Sequence, residues 1–317
     1  MNRMKILIID EMHPSLFGML NQAGFEYSYE PTLKRADILP KLPFFEGLIV
    51  RSKTAIDEEF LAHAPSLKFI ARAGAGLDLI DLEVVKKRNT ALFAANEGNR
   101  DAVAEHALGM LLGLLANINK ADREVRRGIW NREGNRGVEL MNLTVGIVGY
   151  GFNGRATAQR LSGFGCRTLA YDKYRPDFLD KNALSVSMAQ LMAEADVISL
   201  HVPLTNQTRL MLNDDFVAKM AKSFFLINIA RGEIVSLPAV VRGLQNGKIR
   251  GACLDVLENE KINQLSDEQQ VVFDYLSQSD RVILTPHVAG WTQESYVKIN
   301  EVLVRQMVEK FGTMPPV

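Results

Sequence analysis

The stretch TVGIVGYGFNGRATAQRL, residues 144–161, constrains this chain more than any other part of it. Gly149, Gly151 and Gly154 form G-x-G-x-x-G directly after an apolar β-type run and directly before a helical one. The first glycine permits a tight turn, the second lets backbone approach a pyrophosphate, and the third allows helix to pack on strand. The anion then lies at the helix N-terminus, where unpaired N–H groups and the helix dipole favour negative charge. An ordinary βα turn can be glycine-rich, so the flanks matter. A second apolar run follows and ends at Asp172, 18 residues after Gly154, near the ~20 expected for the carboxylate that meets the adenosine ribose. A carboxylate there repels a 2′-phosphate and favours NAD over NADP, although Lys173 and Arg175 follow it.

The rest of the chain fits the same plan. Short apolar runs alternate with amphipathic stretches, the pattern of parallel α/β sheets. The first third predicts strands at Lys5–Ile9, Gly47–Val50, Lys68–Ala71 and Ala91–Ala94, with helices over Pro14–Ala23 and Leu79–Arg88. A long helix is predicted from Asn99 towards Arg127, with an apolar face broad enough for a domain or subunit boundary. Gly128 to Gly137 reads as a loop or arm. Strands are then predicted at Thr144–Val148, Arg167–Tyr171, Asp196–Leu200, Phe224–Ile229, Arg250–Val256 and Arg281–Leu284, with helices including Arg155–Phe164 and Leu237–Asn246. The polar insertion between Glu258 and Asp280 reads as loop plus one short helix.

Composition removes several classes of function. With 37 basic and 37 acidic residues in 317, nothing draws the chain to nucleic acid or an anionic membrane. No apolar run reaches the ~20 residues of a membrane span, and Ile6–Ile9 is too short for a signal peptide core of ~7–15 residues. The two cysteines, Cys166 and Cys253, make neither a disulfide framework nor a CxxC motif, and no metal site is expected. The expectation is a soluble cytoplasmic protein of about two domains.

Hydride chemistry at a carbinol or carbonyl carbon needs a proton donor and acceptor near neutral pH, a role suited to imidazole. His13 and His63 read as surface residues in turns, and His106 as a packing residue on the apolar helix. His201, in HVPLT, and His287, in LTPHVAG, each follow an apolar strand, where open α/β sheets place their ligands. Position alone leaves these two equal. Arg231, just past the strand of INIARGEIV, suits bidentate grip of a carboxylate, or is a surface arginine. Asp255 and Glu260 in CLDVLENE offer carboxylates that would raise a histidine's pKa and orient its ring, or form a solvated acidic turn. Arg51, Ser52 and Lys53 follow the strand Gly47–Val50, where they suit an anionic or phosphorylated substrate or form a solvated basic turn.

RAGAGLDLID (72–81), EGNRDAVAEHALGMLL (97–112), the glycine turn, HVPLT (201–205), NIARGEIV (228–235), CLDVLENE (253–260) and TPHVAG (285–290) follow in order. In that set the chain resembles the D-isomer-specific 2-hydroxyacid dehydrogenases, a group that includes D-3-phosphoglycerate dehydrogenase, glycerate and hydroxypyruvate reductases and D-lactate dehydrogenase. The resemblance implies an α/β fold of two Rossmann-like domains: a discontinuous, flavodoxin-like substrate domain over 1–98 and 288–317, and an NAD-binding domain over 99–287. It implies interconversion of a small D-2-hydroxy acid and its 2-keto acid, with 3-phosphoglycerate or glyoxylate and hydroxypyruvate as candidate substrates, and a homodimer. His287 resembles the general acid–base, Glu260 its paired carboxylate, and Arg231 the substrate-gripping arginine. Asp255 resembles the residue beside the nicotinamide carboxamide. His201, Val202, Pro203, Thr208 and Ala230 join Phe152 and Asn153 as implied cofactor contacts, and the loop Ala73 to Gly76, with Ala75 and Gly76, resembles the one whose amides bind the substrate carboxylate.

There are departures. Lys261 stands where relatives often have proline, and 263–279 is longer than usual. The chain ends at Val317, so feedback through a C-terminal regulatory domain is not expected. Formate dehydrogenases of the superfamily pair their histidine with glutamine, so Glu260 argues against that activity. The C-terminal-binding-protein corepressors share the architecture and use NAD to control association, but no basic or disordered extension accompanies it here.

Overall fold

The computed structural model describes residues 3–312. The chain divides into two compact units, unit 1 over Met1–Asn99 with Trp291–Val317 and unit 2 over Arg100–Gly290.

Unit 1 is built on five parallel strands, β1 (Lys5–Ile8), β2 (Glu26–Tyr29), β3 (Gly47–Val50), β4 (Phe69–Arg72) and β5 (Ala91–Ala94). Their order is β2-β1-β3-β4-β5, the flavodoxin-like arrangement. Side chains alternate across the sheet, so the odd and even residues of β1 enter different cores. Ile6 and Ile8 pack with Leu16 and Leu20 of α1 (Ser15–Gln22) and with Leu303 and Met307 of the C-terminal helix Gln293–Phe311. Leu7 packs on the other side with Ile38, Phe60 and Val85, from α2 (Arg35–Ile38), α3 (Glu58–Ala62) and α4 (Leu82–Lys87). A side chain such as Phe60, fully buried, contributes about 1.5–3 kcal/mol relative to exposure. β2 is a strand the sequence pattern misses. EYSY is a partly exposed edge strand and carries no apolar run.

Unit 2 begins with α5 (Arg100–Leu115) and α6 (Ile118–Arg126), where one continuous helix is predicted. Asn117 breaks it with φ +54°, a conformation that asparagine tolerates better than most residues. The two helices meet at 61°. No single helix among the described residues is long and apolar enough to cross a membrane. Seven parallel strands follow in unit 2, β6 (Thr144–Val148), β7 (Arg167–Tyr171), β8 (Leu184–Ser185), β9 (Val197–Leu200), β10 (Phe224–Asn228), β11 (Ile249–Leu254) and β12 (Val282–Leu284). The order is β12-β11-β10-β9-β6-β7-β8. That is the dinucleotide-binding order 3-2-1-4-5-6 with one further strand. Helices cover both faces, which is why β10 reads FFLIN, buried throughout, rather than alternating.

Two helices differ from their predicted form. α7 (Phe152–Leu161) starts immediately after the glycine turn, three residues before the predicted start at Arg155. The polar insertion holds α11 (Asp267–Gln278), twelve residues long, with α8 (Met188–Glu194), α9 (Asp214–Lys219) and α10 (Leu237–Gln245) before it. A capping box between Ser266 and Gln269 starts α11. The insertion is expected to hold one short helix, and that S-x-x-Q spacing is the signal that could have fixed where it starts.

Register sets the site. Val148 stands opposite Tyr171 and Leu200, Leu200 opposite Asn228, Asn228 opposite Leu254, and Leu254 opposite Leu284. These residues form one transverse row at the carboxyl ends of the strands. The loops that leave these six strands therefore emerge along a single edge of the sheet. The strand order reverses between β6 and β9, which opens the crevice where such sheets bind ligands.

Candidate active site

One to three residues beyond that row lie Gly149, Asp172, His201, Arg231, Asp255 and His287. The glycine turn fits a dinucleotide on geometry alone. Gly149 has φ +96°, and a Cβ on it would lie 2.8 Å from the His201 carbonyl group. A Cβ on Gly154 would lie 2.1 Å from the Gly149 carbonyl oxygen. At Gly151 a Cβ would meet nothing within 4 Å, so backbone is bare towards open space at the N-terminus of α7. Phe152 is exposed beside it, and the Oδ1 of Asn153 is buried without a partner. The Asp172 carboxylate accepts from Tyr150 N at 2.8 Å and from Tyr174 N at 2.9 Å, which fixes it at the end of β7. The Lys173 ammonium donates to Gln207 Oε1. These residues would hold the pyrophosphate and the adenosine ribose of NAD.

The structure separates the two histidines that position leaves equal. His201 Nε2 lies 2.8 Å from Ser199 Oγ, its Nδ1 is buried without a partner, and burial pushes its pKa down to about 4. It is a neutral ring at pH 7 and a poor acid. Val202 beside it packs on the core, and Thr208 closes the next loop by donating to the Pro203 carbonyl at 2.6 Å.

His287 differs in every respect. Its Nδ1 lies 2.9 Å from Glu260 Oε1, with both side chains about half exposed at 48%. The Glu260 hydrogen bond raises the His287 pKa above its ordinary value; burial and the Arg231 charge oppose the shift, and the Glu260 and Asp255 charges add to it. A carboxylate only accepts, so Nδ1 carries the proton of this bond and Nε2 is the outward nitrogen.

Arg231 comes from the turn after β10. Asn228, fully buried, accepts from Ala230 N and donates to the Arg231 carbonyl at 3.0 Å. The next residue must be glycine, because a Cβ on Gly232 would lie 1.8 Å from the Leu257 carbonyl oxygen. That close approach locks the Arg231 turn to the segment that carries Asp255 and Glu260. Arg231 Nη1 donates to the Ala230 carbonyl at 2.7 Å.

Asp255 is 1% exposed. Its Oδ1 accepts from the Thr285 hydroxyl at 2.5 Å and Val288 N at 2.9 Å, and its Oδ2 from Ala289 N at 2.9 Å. Burial works against its ionisation, yet hydrogen bonds from His106, Thr285, Ala289 and Val288 together hold its pKa below the usual carboxylate value. His106 Nε2 is 3.0 Å from Thr285 Oγ1. Sequence reasoning reads His106 as packing and does not single out Asn228 or Thr285. Their partners lie far away in the chain, so no local spacing shows the contacts.

The expected substrate residues of unit 1 occupy two strand ends. After β3, Arg51 N, Ser52 N and Lys53 N all donate to Asp10 Oδ2, at 2.7, 3.3 and 3.4 Å. The Arg51 guanidinium lies 3.7 Å from the Trp291 ring centre and 4.5 Å from that of Tyr296, and donates to the Tyr296 hydroxyl. Lys53 Nζ donates to the Pro31 carbonyl. After β4, Ala75 and Gly76 are partly exposed in a loop whose entry turn closes with Gly74 N donating to the Arg72 carbonyl.

Comparison with known proteins bears on the whole chain. Residues 108–289 match the family described as D-isomer specific 2-hydroxyacid dehydrogenase, NAD binding domain. A hydroxypyruvate reductase of Thermotoga maritima is 32% identical over 294 residues, which cover 93% of this chain and 94% of that protein. A D-3-phosphoglycerate dehydrogenase of Archaeoglobus fulgidus is 30% identical over 98% of this chain, but the chain spans only 58% of its length. The proportion is 60% for the Methanocaldococcus jannaschii protein of the same name. Among solved structures, a D-lactate dehydrogenase from Aquifex aeolicus complexed with NAD and lactic acid superposes with a TM-score of 0.82 at 28% identity, covering 97% of this chain and 95% of that one.

Proposed function

We propose that this chain, which belongs to the D-isomer specific 2-hydroxyacid dehydrogenase family and carries its NAD-binding domain, interconverts a small D-2-hydroxy acid and its 2-keto acid. The observation that carries the reading is the His287–Glu260 pair, set on the same sheet edge as the glycine turn. NAD, when bound, supplies or accepts the hydride. In reduction, His287 as imidazolium gives its Nε2 proton to the carbonyl oxygen, and Glu260 holds the ring and favours its charged form. Arg231 binds the substrate carboxylate and stabilises charge as it develops on the oxygen. In oxidation the neutral ring takes the hydroxyl proton, so one group serves both directions. His201, neutral, contributes shape to the cofactor side and no proton.

The test is NADH oxidation with 3-phosphohydroxypyruvate, hydroxypyruvate, glyoxylate, pyruvate and branched 2-keto acids. Turnover of at least one is expected, and silence on all would overturn the reading. Asp172 supports a preference for NADH, which equal kcat/KM with NADPH would refute. A homodimer is supported by apolar side chains exposed on α6 and the segment after it, among them Ile118, Val125, Ile129, Trp130 at 80% exposure and Met141. Sedimentation that finds only a 35.4 kDa species at micromolar concentration would refute the dimer. Two unpaired cysteines support work in the reducing cytoplasm, which cell fractionation tests.

A further inference from the structure

His287 sits at φ +55°, in the left-handed region that costs energy for any residue with a Cβ. Something must hold it there. Asp255 does so twice: its backbone carbonyl accepts from His287 N at 2.7 Å, and its carboxylate accepts from the N–H groups of Val288 and Ala289. The carboxylate is oriented in turn by the Thr285 hydroxyl.

That hydroxyl has one hydrogen and three neighbours. Asp255 Oδ1 is at 2.5 Å, His106 Nε2 at 3.0 Å and Met110 Sδ at 3.7 Å. A bare nitrogen at His106 Nε2 would compete with Asp255 for the hydrogen. It would also set a lone pair against the carboxylate, since Nε2 is 3.5 Å from Asp255 Oδ1. A protonated Nε2 removes both conflicts. It donates to the Thr285 oxygen, turns the hydroxyl hydrogen to Asp255, and lies favourably against the charge.

We infer that His106 is a positioning residue for the general acid: its Nε2–H, relayed through Thr285 and Asp255, holds the 285–289 turn that presents His287. The chain of donors runs His106 to Thr285 to Asp255, and Asp255 accepts from the turn. α5 supplies the histidine from its middle, where the helix is otherwise largely apolar. The role rests on the proposed dehydrogenase activity, but the hydrogen-bond order can be measured without it.

The first measurement is the 15N spectrum of histidine-labelled wild-type protein, which is expected to show His106 protonated at Nε2. A bare Nε2 overturns the relay. The second is kinetic. His106→Leu is expected to lower kcat roughly tenfold, as a displaced catalytic group does, with KM for NADH nearly unchanged. His106→Gln keeps an N–H donor and is expected to restore kcat to within about threefold of wild type. If the histidine acts through Thr285, His106→Leu adds little to Thr285→Val in the double variant. Wild-type kcat in His106→Leu, failure of glutamine to rescue, or fully additive losses would each overturn the inference. If the leucine variant does not fold, the glutamine variant and the 15N spectrum still decide. An enzyme silent on every 2-keto acid would overturn the activity without touching the tautomer result.

Discussion

Two strand-end turns, one in each unit, are organised by a buried aspartate and put to opposite uses. After β3 in unit 1, a single oxygen of Asp10 gathers the N–H groups of Arg51, Ser52 and Lys53. The charged side chains are then committed locally, Arg51 to Tyr296 and Trp291 and Lys53 to the Pro31 carbonyl. Burial lowers the Arg51 pKa, against the neighbouring Asp10 and Tyr296. After β12 in unit 2, Asp255 uses both oxygens and its carbonyl, and the side chain the turn presents is His287, half exposed beside Glu260. The same device immobilises basic groups in one place and delivers a titratable one in the other. Sequence shows a strand end followed within three residues by a basic side chain in both cases; only the partners of the side chains separate them.

The largest expected effect tests the titratable turn directly. His287→Ala should lower kcat by a factor on the order of 10²–10⁴, the usual share of general acid catalysis, while His201→Ala acts on NADH affinity. Steady-state kinetics of the two variants would break the assignment if their effects were exchanged.

Stability comes next, and here the two aspartates should part. At Asp10 every bond falls on Oδ2, so an amide oxygen can replace it, and Asp10→Asn should cost under about 1 kcal/mol. At Asp255 both oxygens accept, so the NH2 of Asp255→Asn must face a donor, and the loss should be about 1–3 kcal/mol. Urea unfolding of the two variants measures this. Equal losses would show that the two turns do not differ as described.

The smallest effect is a shift in pH dependence. Glu260 raises the His287 pKa, and reduction needs the imidazolium, so the reductive rate falls as pH rises through that pKa. Glu260→Gln removes the charge, which should move the falling limb to lower pH with NADH affinity nearly unchanged. A pH–rate profile that does not move would mean that the pair does not set the titration.

Much of the architecture was legible from local pattern. Runs such as ILII and FFLIN announce strands buried on both faces, and the glycine turn announces where a dinucleotide meets a helix. What escaped were the edge strands β2, whose EYSY carries too little apolar signal, and β8, only two residues long, and the break at Asn117, which needs a single residue in a left-handed conformation. α11 was read only as one short helix in the insertion, and its twelve-residue extent escaped because mostly polar residues leave the helical period faint.

Local pattern pointed to a parallel α/β chain and to a glycine turn suited to a dinucleotide, and an ordered set of motifs carried the resemblance to the family. Position could not separate His201 from His287, and no local spacing shows that His106 touches Thr285. What sets the surroundings of these residues apart is sheet register, which levels the ends of six strands, and contacts such as His106 to Thr285, 179 residues apart. The physical reason is that strand and helix periods are local, whereas the charge state of an imidazole depends on what stands within hydrogen-bonding distance of it. A carboxylate beside His287 and a buried, unanswered nitrogen on His201 exist only once the sheet has formed.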